Sequence, residues 1–174
     1  MKSNVSVWQL VGFAFTSIFG TLSHFLYDWT QSNFAALFSG VNESTWEHMK
    51  LIFFPMLVFA IIESRFIGKE AGGFWCVKLK GTLLGLILIP IIFYTANGVF
   101  GKTPDYFNIS IFFIAAALAY IYETKLFKQN SDCRYEKLSF ALLCLIAVAF
   151  FVFTFYPLQI PLFEDPLTNT YGIV

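Results

Sequence analysis

Five apolar runs of about 20 residues follow one another along this chain, separated by short polar connections. A helix needs about 20 apolar residues to cross a bilayer core about 30 Å thick. In lipid every backbone polar group needs a partner within the protein, so runs of this kind fold as helices. The runs cover residues 7–29, 46–66, 74–97, 109–127 and 138–156. Trp8 and Trp29 stand at the two ends of the first, where interfacial anchors belong. The pattern predicts an all-α integral membrane bundle of five transmembrane helices, one domain over 1–174, with residues 157–174 as a tail. No internal repeat is visible.

Composition carries the same message. Of 174 residues, 57% are hydrophobic and 13% charged, against about 25% charged in an average soluble domain. Such a chain cannot clothe itself in a polar shell, which excludes an ordinary cytosolic enzyme and a disordered segment. Its formal net charge of zero offers no basic surface to phosphate backbones, so nucleic acid is not a partner. The partner is the lipid bilayer, and the expected location is the cell membrane. Nothing in the pattern specifies an oligomeric state.

Lysine and arginine set the orientation. With five spans, one side holds Lys2, Arg65, Lys69, Lys78, Lys80, Lys125, Lys128, Arg134 and Lys137, and the other holds Lys50 and Lys102. Basic residues stay cytoplasmic, so the N-terminus is expected inside and the tail outside. Lys78 and Lys80 fall in the first turns of the third run, from which they can snorkel to the headgroups. The acids of that side, Glu63, Glu70, Glu123, Asp132 and Glu136, are expected to form a solvated, compensating face with them. Cys76, Cys133 and Cys144 show no paired spacing, so no disulfide framework and no cysteine-type zinc motif is expected. The first apolar run lacks a cleavage site and reads as a retained span. Gly81/Gly85 and Ala115/Ala119 are small-xxx-small pairs suited to close helix packing.

The outer half holds the chemistry. Ser17, Thr21, His24 and Asp28 recur every three or four residues, on one helical stripe. Residues 41–50, Val-Asn-Glu-Ser-Thr-Trp-Glu-His-Met-Lys, open the second run. Only Leu51–Ile62 of that run is cleanly apolar, so a spanning helix must carry Glu47, His48 and Lys50 into the upper membrane. Antiparallel neighbours bring the two stretches together. His24, Asp28, Glu47 and His48 are the candidate metal or ligand-binding residues, and Glu43 and Glu47 the candidate acid/base groups. Imidazole with carboxylate suits a divalent metal such as zinc, iron or manganese. Glu164 and Asp165 in the tail are candidate lid residues. A purely structural account competes with this one: Ser44–Glu47 is a capping box, Lys50 can pair with Glu47, and His24 can bond Asp28 across one turn.

Three stretches, Ser23-His-Phe-Leu-Tyr-Asp-Trp29, residues 41–55 from Val41 to Pro55, and Asp165-Pro-Leu-Thr-Asn-Thr-Tyr-Gly-Ile173, resemble a family of small multi-pass membrane proteins of Gram-positive bacteria with no known function. The resemblance runs the length of the chain. It implies a bacterial cell membrane and carries no activity. Three functional readings remain open at this point: a metal or small-ligand binder, extending to a membrane-embedded metal-dependent hydrolase; a transporter or channel component; and a structural or regulatory subunit. No nucleophile elbow or phosphate-cradling loop marks the chain as an enzyme.

Overall fold

The computed structural model describes residues 2–68, 71–129 and 133–173. Lys69, Glu70 and Asp132, expected among the charges of the basic face, lie outside them. The described residues are helical, with no strand beyond an isolated bridge between Glu164 and Tyr171. The helices are α1 (Lys2–Thr30), α2 (Asn33–Ala36), α3 (Thr45–Phe66), α4 (Phe74–Phe100), α5 (Asp105–Gln129) and α6 (Glu136–Phe155), followed by a 3-10 turn at Pro161–Phe163. Polar contacts tie the first turns of α1 and α4 to the last turns of α3 and α5, and the first turn of α3 to the last turn of α6. The five long helices therefore alternate in direction. One end of the bundle carries the tail and the other the basic loops.

Among the described residues four helices, not five, are long and apolar enough to cross a membrane: Asn4–Thr30 within α1, then α4, α5 and α6. The second expected span forms as α3, and Pro55 does not break it. Its 22 residues include Glu47, Lys50, Glu63 and Arg65, too many charges for a lipid-facing helix. The physical reason lies in its position. α3 is packed among α1, α4, α5 and α6, and every residue from Lys50 to Met56 is buried. A helix whose first half is enclosed by protein can hold charges there provided each finds a partner, while Val58, Ile61, Ile62 and Phe66 keep an apolar outer face on its second half.

The outward surface of the spanning helices is apolar, with Leu10, Ile18, Ile91, Ile121 and Leu145 all more than half exposed. An apolar exterior of this extent marks a lipid-facing or partner-facing surface. Lipid is as apolar as leucine, so packing and hydrogen bonds hold the helices together. The small residues act here. Gly81 and Gly85 of α4 face Ala115, Ala119 and Glu123 of α5, and a side chain built on Gly81 would overlap that of Glu123. Cys76 and Cys133 are joined as a disulfide, against the expectation of none, and Cys144 is free. The bonded pair stands 57 positions apart and gave no local spacing to read.

Candidate functional site

The tail end of the bundle is built on two interruptions of regular helix. Ser39, after the short α2, inserts its hydroxyl into the ladder of α1: Oγ donates to Ser23 O at 2.5 Å and accepts from Tyr27 N at 2.9 Å. A side chain lodged between residues i and i+4 fixes the helix face locally, and His24 is the next residue along. The second interruption is the start of α3. Ser44 is its N-cap and accepts from Glu47 N at 3.4 Å. Asn42 completes the cap: its Oδ1 accepts from Ser44 N at 2.9 Å, while its Nδ2 donates to Gly172 O at 2.9 Å. The expected capping box is thus half present. Asn42, not Glu47, takes the N–H of Ser44.

These two frames bring His24, Glu43 and His48 together. His24 Nε2 lies 3.5 Å from Glu43 Oε1, and His48 Nε2 lies 3.5 Å from Glu43 Oε2. The imidazole ring centroids are 5.6 Å apart. One ligand atom from each of the three residues falls within 4.8 Å of the others, which makes them a candidate metal-holding group. His48 Nδ1 is 2.9 Å from the carbonyl oxygen of Ser44. A carbonyl only accepts, so Nδ1 carries the proton, and a neutral His48 presents a lone pair at Nε2. All three side chains are half-buried, that of Glu43 being 41% exposed. Hydrogen bonding from His24 first, and the charges of His48 and His24 after it, hold the Glu43 carboxyl below its ordinary range despite partial burial.

Other expected site residues go elsewhere. Glu47 turns away from the histidines. Its Oε2 lies 2.5 Å from Lys50 Nζ and 3.1 Å from the donating Val41 N. Lys50 also donates to Ala36 O at 2.7 Å and to Thr154 Oγ1 at 2.9 Å, joining α2, α3 and α6 through one ammonium. Glu47 and Lys50 are buried and spoken for, so Glu47 has no role as a ligand of this cluster. Asp28 is exposed and outside the cluster, and no hydrogen bond joins its side chain to His24. The stripe on α1 also divides: Thr21 bonds its own helix at Ser17 O, away from the histidines.

The tail packs onto this end. Phe163 sits against Trp46 and Phe153, and Tyr94 Oη donates to Pro161 O at 2.9 Å. Asp165 is buried. Its Oδ2 accepts from Glu43 N at 3.3 Å and its Oδ1 from Leu167 N at 2.7 Å. Asp165 therefore holds the Glu43 backbone, whereas Glu164 turns to Tyr171 Oη at 3.2 Å. Gly172 has φ +71°, and a side chain there would press on Pro157.

A second charged cluster, at the basic end, was not anticipated. Glu63 (α3), Lys78 (α4) and Glu123 (α5) are buried, with Lys78 Nζ 2.5 Å from Glu63 Oε2 and 2.6 Å from Glu123 Oε2. Gln9 Nε2 of α1 donates to Glu63 Oε1 at 2.7 Å. Lys78 does not snorkel, and Glu63 and Glu123 are not part of a solvated face. The available signal was Lys78 itself, a cation inside an apolar run, because ionisable residues at membrane depth are satisfied within the bundle.

Fold and sites together define a helical bundle of membrane-spanning character with a polar cluster at each end. The chain belongs to a family of unknown function, DUF6512, whose model matches residues 1–173. No curated protein and no solved structure matches it.

Proposed function

We propose that this is a multi-pass protein of a bacterial cell membrane that binds a divalent cation through His24, Glu43 and His48 at its outer face. One observation carries the reading. His48, whose Nδ1–H bonds Ser44 O, sets its Nε2 3.5 Å from a carboxylate oxygen of Glu43. An imidazole nitrogen and a carboxylate so placed call for positive charge between them, a proton or a metal cation. A shared proton favours separations of about 2.7–3.2 Å. Metal bonds of about 2.0–2.2 Å meeting at a tetrahedral angle set ligand atoms about 3.4 Å apart. Two imidazoles and one carboxylate suit zinc first, and iron or manganese next. The bond from His48 Nδ1 to Ser44 O is the outer-shell contact that orients a ligating histidine.

Three ligands leave a coordination position for water or substrate. A hydrolase would also need a base, and the pairing of Glu47 with Lys50 removes the one first considered. The proposal is therefore cation binding, with Asp165 and the packed tail as the cover that holds Glu43 in place. Elemental analysis of purified protein tests it. About one zinc, iron or manganese per chain is expected, lost in a His24→Ala/His48→Ala double variant. No metal in the parent protein, even after loading, would leave Glu43 as an ion-paired strut between two imidazolium rings.

The outer placement rests on the basic residues at the opposite end, where the disulfide also lies. Cytoplasm keeps thiols reduced, so Cys76 and Cys133 should be free in intact cells and pair after lysis. Alkylation before lysis checks this, and a bond already formed in cells would reverse the orientation.

A further inference from the structure

The buried cluster at the basic end holds two carboxylates against one ammonium. We propose that Glu63 and Glu123 share one exchangeable proton, making this cluster a proton-binding site inside the bundle.

The charge count comes first. Glu63, Lys78 and Glu123 are each at most 2% exposed, and full ionisation would leave one unbalanced negative charge there. Burying an uncompensated ion is far costlier than protonating it. The hydrogen-bond count gives the second, independent reason. Gln9 Oε1 and Glu123 Oε1 are buried with no donor, and Glu63 Oε2 has its ion pair with Lys78 but no hydrogen bond. Gln9 is 2% exposed and its amide is aimed into the cluster, bonded to Glu63. All three atoms are acceptors, so the cluster is short of a proton. Lys78 supplies its ammonium to one oxygen of each carboxylate and is ringed by Phe59, Phe74, Tyr120 and Phe127 at 5.5–6.0 Å.

The ligand must be small. Glu123 Oε1 lies where a side chain on Gly81 would begin, so α4 backbone closes over it. A proton fits there and a hydrated ion does not. Placed on Glu123 it neutralises the surplus charge. Placed on Glu63 it donates to the Gln9 amide, whose two ends exchange by rotation. The groups facing the pair are Gln9 from α1, Lys78 from α4 and Tyr120 from α5. Tyr120 Oη is engaged with Thr16 Oγ1 at 2.8 Å.

Infrared spectroscopy of the full chain in lipid nanodiscs tests the proposal, with isotope-labelled glutamate marking the bands. One protonated-glutamate carbonyl band is expected in sodium-free buffer at neutral pH. It should fade as pH is raised and be lost in Glu63→Gln, Glu123→Gln or both. The titration of the labelled parent protein stands alone if a variant does not fold. Absence of the band at any pH would overturn the proposal. So would a band that no pH removes, a band indifferent to both substitutions, or a sodium-dependent rise in melting temperature abolished by Glu123→Gln, which would reassign the surplus charge to a metal cation.

Discussion

The two charged clusters occupy opposite ends of one bundle and differ in access. At the tail end, His24, Glu43 and His48 keep a quarter to two-fifths of their side-chain surface exposed, and their atoms stand 3.5 Å apart. At the basic end, Glu63, Lys78 and Glu123 are shut in and stand 2.5–2.6 Å apart. Tight contacts leave room for a proton, while loose, accessible ones leave room for an ion that comes and goes. Between the clusters the interface is closed: Phe59 and Tyr120 lie on Gly12, and Phe112 and the Leu51 backbone on Gly20. The two ends are separate devices on common helices.

Lys78→Met tests the dry end and carries the largest expected effect. It strands the ionised carboxylate of the proton-sharing pair, and removing one partner of a buried ion set costs about 3–5 kcal/mol. Thermal unfolding in detergent should show it, with partial recovery in Lys78→Met/Glu63→Gln. A Lys78→Met protein that melts like its parent would make the two ends alike. The open end should respond to ligand instead. Zinc at about 100 times its dissociation constant should stabilise by about 2.7 kcal/mol, and the His24→Ala/His48→Ala protein should not respond. Zinc stabilisation that survives that change would place the ion elsewhere.

Smaller effects sharpen the contrast. Asp165→Leu removes the acceptor for Glu43 N and Leu167 N and should cost about 1–3 kcal/mol. Earlier proteolysis of residues 157–173 and weaker zinc binding would report it. The smallest effect is acid sensitivity. Folding lowers the Glu43 carboxyl below the ordinary value of 4.5, so its ion pairing stabilises the fold above that value. The contribution is lost as pH falls through the lower, folded-state value. Melting temperature followed below about pH 4.5 should therefore drop less steeply in Glu43→Gln than in the parent.

The sequence carried the helices well, because apolar length and period need no knowledge of neighbours. It carried α3 poorly as a lipid-facing span. Low apolarity is shared by an interfacial helix and an enclosed one, and only packing tells them apart. Of the site, His24, Glu43 and His48 were legible from their common end of the bundle. Asp28 and Glu47 were expected beside them, but shared height does not fix direction: Asp28 faces outward, and Lys50 draws Glu47 away. The Glu63–Lys78–Glu123 cluster was hidden for a related reason. Charge balance along a sequence looks the same whether the charges meet in water or in a core. Ser39 carried no motif, since its partners at residues 23 and 27 belong to another helix.

The bond from Asn42 to Gly172 spans 130 residues. It gives assembly of the tail-end cluster a timetable. His24, Glu43 and His48 precede α4, α5 and α6 in the chain, yet the segment that pins their loop leaves the ribosome only after those helices. A partly made chain can pair α1 with α3 but cannot seat Glu43 against Asp165. The loop is therefore pinned only once residues 165–172 have emerged, and a chain stopped short of them lacks that hold on Glu43.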